Sequence, residues 1–382
     1  MSNPLEQRLQ TALHKRAQDG NLRQLSLSQG IDFFSNDYLG LAKNSSVLQP
    51  FLEKEYAHIG TTQWHGATGS RLLSGNSEYV MQAEKRLAAL FQAESALIFN
   101  SGYAANLSVL SAIPQKGDTI LYDEKIHASL KEGARLSFAQ RYSFAHNDVA
   151  DLEQKLQRID KGLVFVVAET VYSMDGDIAP LAAIVAICKK YGAYLIVDEA
   201  HSTGLWGNGG SGLLCEKVLE KDVLARIYTF GKAMGGHGAC VAGSQTLTNY
   251  LVNFARPFIY TTAMPLQNVA YLMAAFQYLA ENEWLAKQLH SRVSYFRQQI
   301  QAHQLQDNFV ESTSPIQMLK VQGNEHAQRM ARDLREQHYN LRPVLSPTVP
   351  AGQERIRVCL HSDNSEQEIA ELIAAVAKML VH

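Results

Sequence analysis

The segment AYLIVDEAHSTG, residues 193–204, contains an apolar run that ends directly in charged and polar side chains. A run of this length and composition predicts a strand that is buried on both faces of a sheet. Asp198 closes the run and His201 follows three residues later, so both side chains can face the crevice outside the carboxyl end of the strand. A carboxylate there can bind a metal, act as a base, hold a protonated ring nitrogen or cap the next helix.

Similar apolar runs lie on both sides of this segment. They are ALIF at 96–99, DTILY at 118–122, GLVFVVAE at 162–169 and ARIYTF at 225–230. Helical patterns separate these runs, among them residues 179–191 and a helix that we expect Asn76 to cap. Strands that are buried on both faces and linked by helices predict an α/β fold with a mostly parallel, doubly wound sheet.

The pattern changes after Pro257. A long helical stretch at 268–301 precedes three strand candidates, PIQMLKV, NLRPVL and ERIRVCL, and a terminal helix from about residue 365. We predict a smaller α+β domain at the C-terminus. The expected division is an N-terminal segment at 1–36, a large cofactor-binding domain at 37–265 and a small domain at 266–382.

The composition limits the classes of function. The chain has 382 residues, 46% of them hydrophobic, and its 35 basic and 37 acidic residues leave a net charge of −2. We therefore expect a globular protein with no basic surface for nucleic acid. No apolar run approaches the ~18 residues of a membrane span, so no membrane partner is expected. The four cysteines are scattered without CxxC spacing, which favours reduced thiols in the cytoplasm over disulfides or a metal site.

Two glycine-containing motifs follow strands. In TFGKAMGGHG, residues 229–238, Lys232 has small neighbours that leave room for a ligand. A lysine in a tight pocket can form a Schiff base with a carbonyl, although a lone lysine is more often a surface residue. Ala233 stands where a P-loop needs Ser or Thr. In FNSGYAAN, residues 99–106, the turn at Gly102 precedes a helix whose free N–H groups can bind phosphate, or it is a plain glycine turn.

Two more motifs place polar groups at strand ends. DEKIHAS contains His127 near the start of a helix, and AETVYSMDGD places Glu169 and Ser173 after the strand at 162–168. Pyridoxal phosphate is the one ligand that accounts for all five motifs. Its phosphate suits the turn at Gly102 and Tyr103, and its aldehyde suits Lys232. Its pyridine nitrogen suits Asp198, and its phenolic oxygen suits His201.

The motifs also carry a family resemblance. The sequence resembles the α-oxoamine synthases along nearly its whole length, through FFSNDYLGL at 33–41, GATGSRLLSGN, NSGYAAN, HAS, FAHNDV, SMDGDIAPL, DEAHSTG, TFGKAMGG, YTTAMP and TVPAGQERIRV at 348–358. These are pyridoxal-phosphate enzymes with the aspartate-aminotransferase-type fold, and they work as homodimers with shared active sites. The resemblance implies the same fold, cofactor and assembly here.

The resemblance assigns roles residue by residue. It implies that Lys232 is the Schiff-base lysine and that His127 stacks on the pyridine ring. The other residues expected to bind the cofactor are Gly102, Tyr103, Glu169, Ser173, Asp198, His201 and Thr229, with Thr261 or Thr262 reaching across from the partner subunit. The catalytic residues implied are Lys232, His127 and Asp198. The residues expected to bind substrate are Arg23, Asn36, His127, Thr348 and Arg357.

The implied reaction is the decarboxylative condensation of L-alanine with a pimeloyl thioester, carried on CoA or a carrier protein, in biotin biosynthesis. Another α-oxoamine synthase activity, such as that of 2-amino-3-ketobutyrate ligase, is the alternative, although TFGK and YTTAMP favour the pimeloyl reaction. A non-catalytic subunit would not need Lys232, Asp198 and His127 together. Two departures bear on acyl specificity: Trp64 with His65, and LHSDN at 360–364.

Overall fold

The structure, a computed structural model, describes residues 3–25, 27, 29–59 and 66–380. The departure from the family pattern at Trp64 and His65 lies outside these described residues. The described chain divides into two compact units. The larger unit comprises Asn36–Ser173 and Asp177–Gln288, and the smaller unit comprises Met1–Ser35, Met174–Gly176 and Leu289–His382. The three-part division into domains at 36/37 and 265/266 stays a prediction.

The strands are β1 (Ile31–Asp32), β2 (Ser95–Phe99), β3 (Thr119–Asp123), β4 (Gln140–Phe144), β5 (Val164–Glu169), β6 (Tyr194–Asp198), β7 (Ala225–Thr229), β8 (Ala239–Gly243), β9 (Ile316–Lys320), β10 (Tyr339–Asn340), β11 (Arg342–Val344) and β12 (Arg355–Cys359). The α-helices are α1 (Pro4–Gln18), α2 (Gln49–Ile59), α3 (Glu78–Leu90), α4 (Gly102–Ala112), α5 (Ala128–Leu136), α6 (Val149–Leu156), α7 (Leu181–Tyr191), α8 (Leu213–Glu216), α9 (Gln245–Phe254), α10 (Arg256–Ile259), α11 (Leu266–Glu281), α12 (Trp284–Ala302), α13 (Asn324–Glu336) and α14 (Glu366–Leu380).

The larger unit is built on a seven-stranded sheet of order β2-β8-β7-β6-β5-β3-β4. All neighbouring pairs from β7 to β4 are parallel, whereas β8 runs antiparallel to both β2 and β7. The prediction of a mostly parallel sheet is confirmed. Because β3, β5, β6 and β7 run in the same direction, their carboxyl ends lie along one edge of the sheet.

The sheet is buried because its central strands are apolar along their length. Val166, Val167, Ile196 and Val197 have no exposed surface, as expected for strands covered on both faces. Helix α7 buries Leu181, Ile184, Val185 and Cys188, one stripe at helical spacing. The helix ends where Gly192 takes a positive φ of 66°, a conformation that an L side chain rarely adopts.

The start of α3 differs by one residue from the sequence prediction. Ser77, not Asn76, is the N-cap, and its hydroxyl accepts a hydrogen bond from Val80 N at 3.3 Å. Both residue types cap helices well, so composition alone did not distinguish them.

The smaller unit has α+β architecture. Its three-stranded sheet, of order β11-β12-β9, is antiparallel throughout. Strand β1 pairs in parallel with β10, which joins the N-terminal segment to the C-terminal part of the chain within this unit. Helices α13 and α14 bury the apolar stripes Ala327, Met330, Ala331, Leu334 and Ile369, Leu372, Ile373, Val376. Among the described helices, none is both long and apolar enough to cross a membrane.

Candidate active site

A lysine and a histidine meet at the carboxyl edge of the larger sheet. Lys232 follows β7, and His201 follows β6, the strand beside it. Lys232 Nζ lies 2.8 Å from His201 Nε2. His201 is only 4% exposed, whereas Lys232 is partly exposed. The edge therefore places a partly exposed amine beside a buried imidazole.

The hydrogen bonds of Tyr38 determine which ring nitrogen of His201 carries a proton. Tyr38 is fully buried, and its hydroxyl lies 2.8 Å from His201 Nδ1 and donates to Asn36 Oδ1 at 3.0 Å. Since a hydroxyl has one proton, Tyr38 must accept from His201 Nδ1–H. With its proton on Nδ1, the ring can offer Nε2 as an acceptor to the Lys232 amine.

Asp198 ends β6 with both carboxylate oxygens hydrogen-bonded. Its Oδ2 accepts from Asn106 Nδ2 at 2.8 Å, and its Oδ1 accepts from Ala200 N at 2.8 Å. Asn106 Nδ2 also donates to Ser129 Oγ at 2.9 Å. Asn106 Oδ1 is buried and has no hydrogen-bond partner among the described residues. The carboxyl group of Asp198 is thus held in a fixed orientation by Asn106 of α4 and by the backbone after β6.

His127 caps α5 and lies close to Glu169 at the end of β5. His127 Nδ1 is 2.7 Å from Ser129 Oγ, and the backbone N–H of His127 donates to Glu169 Oε1. Burial lowers the pKa of His127, so its ring is neutral at pH 7. Burial first, and then the nearby Asp198 carboxylate, raise the pKa of Glu169 to about 8. A neutral ring and a protonated carboxyl group therefore line this side of the site.

The N-terminus of α4 approaches β7 closely at Gly102. A Cβ at this position would collide with Thr229 Oγ1, so only glycine permits the approach. Ser101 caps α4 by accepting from Ala104 N at 3.1 Å. Tyr103 is 49% exposed. The helix start that we predicted as a phosphate site thus lies directly beside Thr229.

The remaining predicted cofactor residues of the larger unit lie on loops. Ser173 is buried in the loop after β5. Thr262 is exposed, and its carbonyl accepts from Asn100 Nδ2 at 2.6 Å, which ties its loop to the end of β2. Thr261 is partly buried in the same loop.

The other predicted substrate residues belong to the smaller unit. Arg23 and Thr348 line one cavity of about 740 Å³. Arg357 lies on β12, in register with Arg342 of β11. The departure LHSDN is largely buried: His361 Nε2 lies 3.1 Å from Ser35 Oγ, and Asn364 Nδ2 donates to the Asp32 carbonyl at 3.3 Å.

Three side chains at the site were not singled out from the sequence. Tyr38, Asn106 and Ser129 all lie inside motifs that we quoted, but their roles depend on partners far away in the chain. Tyr38 contacts a residue 163 positions later, and Asn106 contacts one 92 positions later. Each of the three is a polar residue within a conspicuous motif, and this position in the sequence is the signal that could have identified it.

A second histidine of the larger unit is held between two carboxylates. His146 Nδ1 lies 2.9 Å from Asp123 Oδ1, and His146 Nε2 lies 2.7 Å from Asp177 Oδ2. Burial alone would lower the pKa of His146, but the hydrogen bonds to Asp123 and Asp177 outweigh it and raise this pKa to about 9. The imidazolium is therefore the folded-state species at neutral pH.

This raised pKa predicts a pH-dependent contribution to stability. The pKa of His146 in the folded protein exceeds its ordinary value of 6.5, so the contribution is complete below about pH 6.5 and is lost as pH rises through about 9. We expect His146→Gln to lower the free energy of unfolding by on the order of 2 kcal/mol at about pH 6 and much less at about pH 10. Urea unfolding at both pH values measures this. A difference that stays constant across the range would contradict the assignment.

The sequence matches the family described as aminotransferase class I and II over residues 28–376. It is 40% identical to an 8-amino-7-oxononanoate synthase of Emericella nidulans, an alignment that covers 98% of this chain and 96% of the relative. It is 38% identical to a protein of the same name from Marinobacter nauticus, over 98% of this chain and 94% of the relative.

Two solved structures are also similar along most of the chain. One is an 8-amino-7-oxononanoate synthase from Francisella tularensis, with a TM-score of 0.77 and 28% identity, covering 92% of this chain and 98% of that one. The other is "SPT with PLP internal aldimine", with a TM-score of 0.87 and 26% identity, covering 100% of this chain and 99% of that one. The predicted α/β fold of the aminotransferase type is confirmed.

Proposed function

The chain belongs to the aminotransferase class I and II family, and on that premise we propose that it condenses L-alanine with a pimeloyl thioester. Carbon dioxide and the free thiol are released, and the product is 8-amino-7-oxononanoate, an intermediate of biotin biosynthesis. The relatives that span nearly the whole chain carry this activity in their names. The observation that carries the proposal is the pairing of Lys232 Nζ with His201 Nε2 beside Asp198.

The residues present fit pyridoxal 5'-phosphate. Gly102 lets the start of α4 lie closer to Thr229 than a Cβ would allow, and the helix start there suits a phosphate. Asn106 Oδ1 is buried without a partner in the described chain, at the same place where Asn106 holds Asp198. When bound, this cofactor supplies an electron sink that weakens the bonds to the α-carbon of an amino acid.

Each residue has a proposed part in holding the cofactor. Lys232 would bind its aldehyde carbon, Asp198 would stabilise its ring nitrogen and His201 would hydrogen-bond to its phenolic oxygen. His127, neutral because burial lowers its pKa, offers a flat, uncharged face for stacking. The phosphate and ring edges would be held by Gly102, Tyr103, Glu169, Ser173 and Thr229.

The chain's own side chains are proposed to accept and transfer the protons of the reaction. Lys232 Nζ, once free, is the base placed to take the α-proton of alanine. It can pass a proton to His201 Nε2, because Tyr38 keeps the other proton of that ring on Nδ1. Arg357 is proposed to bind the alanine carboxylate by a planar two-pronged contact, and Asn36 is the other residue proposed to bind this substrate.

We propose a cytoplasmic homodimer. Large apolar side chains are exposed next to the predicted contacts with the partner: Leu73 is 81% exposed and Tyr260 is 78% exposed. The Ala263 N–H donates to the Gly69 carbonyl at 2.9 Å, which holds these two segments together. Their exposure supports the proposal that these two joined segments are covered by a partner subunit. Thr261 and Thr262 lie in the same loop as Tyr260.

All four cysteines are free and buried, which supports the proposal of a reducing compartment, the cytoplasm.

Substrate choice provides the test of the proposed reaction. We expect L-alanine to outperform glycine and serine, and a pimeloyl thioester to outperform acetyl, succinyl and palmitoyl thioesters. Each further buried methylene contributes about 0.8 kcal/mol, so the advantage over acetyl should be a higher kcat/KM. Competition assays with all four thioesters measure it. If glycine with acetyl thioester is preferred, the chain is a 2-amino-3-ketobutyrate ligase instead.

A further inference from the structure

One side-chain amide connects two parts of the candidate site. Asn106, on α4, donates from Nδ2 to Asp198 Oδ2 at 2.8 Å and to Ser129 Oγ at 2.9 Å. An NH₂ group has two hydrogens, so each of these bonds uses one of them. Asn106, Ser129 and Asp198 are all less than 5% exposed. Water therefore has little access to either bond, and each is costly to lose.

The amide of Asn106 must present its NH₂ group to Asp198 and Ser129. In the opposite orientation both hydrogens would point to the place where Asn106 Oδ1 now has no partner among the described residues. Two buried donors would then be unpaired instead of one acceptor. With the NH₂ group facing Oδ2, and with Ala200 N donating to Oδ1 at 2.8 Å, both oxygens of Asp198 are acceptors. Asn106 thereby holds Asp198 as the ionised carboxylate, since a buried charge needs such donors.

The second bond of Asn106 determines where His127 carries its proton. Because Ser129 Oγ accepts from Asn106, its own hydrogen can be donated to His127 Nδ1, 2.7 Å away. The backbone N–H of Ser129 donates to the same nitrogen at 3.2 Å. A ring nitrogen that accepts from two donors carries no hydrogen, and burial keeps this ring neutral by lowering its pKa. The His127 ring therefore carries its proton on Nε2.

The close packing of α4 against α5 lets Asn106 and Ser129 meet. Gly133 of α5 is buried against α4, where a Cβ would lie 3.0 Å from the Asn106 carbonyl oxygen and 3.0 Å from Leu110 Cβ. These distances are shorter than ordinary van der Waals contacts, so a larger residue would force the helices apart. Ser129 lies one helical turn before Gly133. The glycine thus keeps Ser129 within hydrogen-bond distance of Asn106.

We propose that Asn106 is a positioning residue that prepares Asp198 and His127 together. Its single amide keeps the carboxylate at the cofactor's ring nitrogen ionised and fixes the tautomer of the histidine that stacks on the ring. The inference rests on the proposed function in that these two residues bind the cofactor. It also accounts for Asn106 Oδ1, which is buried without a partner in the described chain. The oxygen costs stability, and the two donors of the same amide are the reason to keep it.

The tautomer of His127 can be measured without substrates. In ¹⁵N NMR spectra of histidine-labelled enzyme, with and without cofactor, its two ring nitrogens should give the widely separated signals of a neutral ring protonated on Nε2. The spectrum of His127→Gln identifies them. These signals should move toward each other in Asn106→Leu, which keeps the size of the side chain and removes both donors, and in Ser129→Ala.

Ser108→Ala is the matched control for both measurements. Ser108 is fully buried on α4, and its hydroxyl has no partner among the described residues. Removing this hydroxyl changes a buried polar group of the same helix without breaking a bond to Asp198 or His127. Its spectrum and its turnover should equal those of the wild type.

Steady-state kinetics distinguish positioning from a general loss of structure. Asn106→Leu should lower kcat by about 10- to 100-fold and leave KM for the amino acid within about threefold, because the lost bond to a charged group acts on the transition state. Ser129→Ala keeps the bond to Asp198 and should lower kcat by less than about fivefold.

An unchanged His127 spectrum or an unchanged kcat in Asn106→Leu would overturn the proposal, as would an equal loss in Ser108→Ala. If Asn106→Leu does not fold, the spectrum of Ser129→Ala decides, and unchanged signals there would also overturn it. Because the spectra require neither alanine nor a thioester, failure of the proposed reaction in the substrate assay leaves this result intact.

Discussion

Replacing Lys232 with alanine should abolish turnover, with kcat falling by at least about 10³-fold. The substitution removes the amine that binds the cofactor aldehyde and, with it, the base beside the α-carbon of alanine. His201 Nε2 would lose the amine that lies 2.8 Å away. Steady-state assays with alanine and pimeloyl thioester measure the loss.

Two further variants test whether the loss of activity is due to the missing amine, to the missing charge or to a general effect of removing a lysine. Lys232→Arg keeps a positive charge but offers no nucleophile, so it should be as inactive as Lys232→Ala. Lys189→Ala removes a lysine that is 61% exposed and paired with Asp222, so its activity should equal that of the wild type. Near-normal turnover by Lys232→Ala would show that the lysine assignment is wrong. Activity in Lys232→Arg alone would reduce the role of this residue to charge.

The second large effect is expected at Asp198. Asp198→Asn should lower kcat by about 10²- to 10³-fold while the cofactor remains bound, because an amide stabilises a protonated ring nitrogen far less than a carboxylate does. The structure adds a cost in stability. Both oxygens of Asp198 accept from fixed donors, Asn106 Nδ2 and Ala200 N, so the NH₂ of the new amide must face one of them. Leaving a buried donor unsatisfied costs about 1–3 kcal/mol.

Stability and catalysis can be separated with a matched carboxylate. Asp123 is fully buried at the end of β3 and accepts hydrogen bonds from His146 and the Asn147 N–H. Asp123→Asn should therefore lose stability by a similar amount yet keep kcat within several-fold of the wild type. Cofactor content by absorbance and single-turnover rates distinguish the two variants. An unchanged single-turnover rate in Asp198→Asn would contradict its role at the ring nitrogen.

The central sheet could be predicted because its strands are apolar throughout. Strands β5 and β6 are uninterrupted runs, as burial on both faces requires. Strand β4, with the sequence QRYSF, was missed because four of its five residues are exposed at the sheet edge. Strand β8 was missed because it begins just after a glycine-rich loop, and nothing local indicates that it runs antiparallel. The helical stretch at 268–301 proved to be two helices, α11 and α12, separated near Asn282.

The site was predictable to the extent that its residues lie directly after strands. Lys232, Asp198 and Glu169 follow or end β7, β6 and β5, so parallel strands alone bring them to one edge. Tyr38 reaches His201 from a segment that precedes the whole sheet, and no periodicity encodes such a contact. The contacts that join α13 to the segment after α1 could not be predicted for the same reason, since they connect residues more than 300 positions apart in the chain.

The covalent link between Lys232 and the cofactor is the most direct test of the account. Purified enzyme should be yellow, and borohydride should remove the visible absorbance by reducing the carbon–nitrogen double bond to a stable amine. After denaturation and proteolysis, mass spectrometry should then find the reduced cofactor attached to the peptide that contains Lys232, and to no other lysine. Cofactor that is released on denaturation after reduction, or that is attached to a different lysine, would contradict the account.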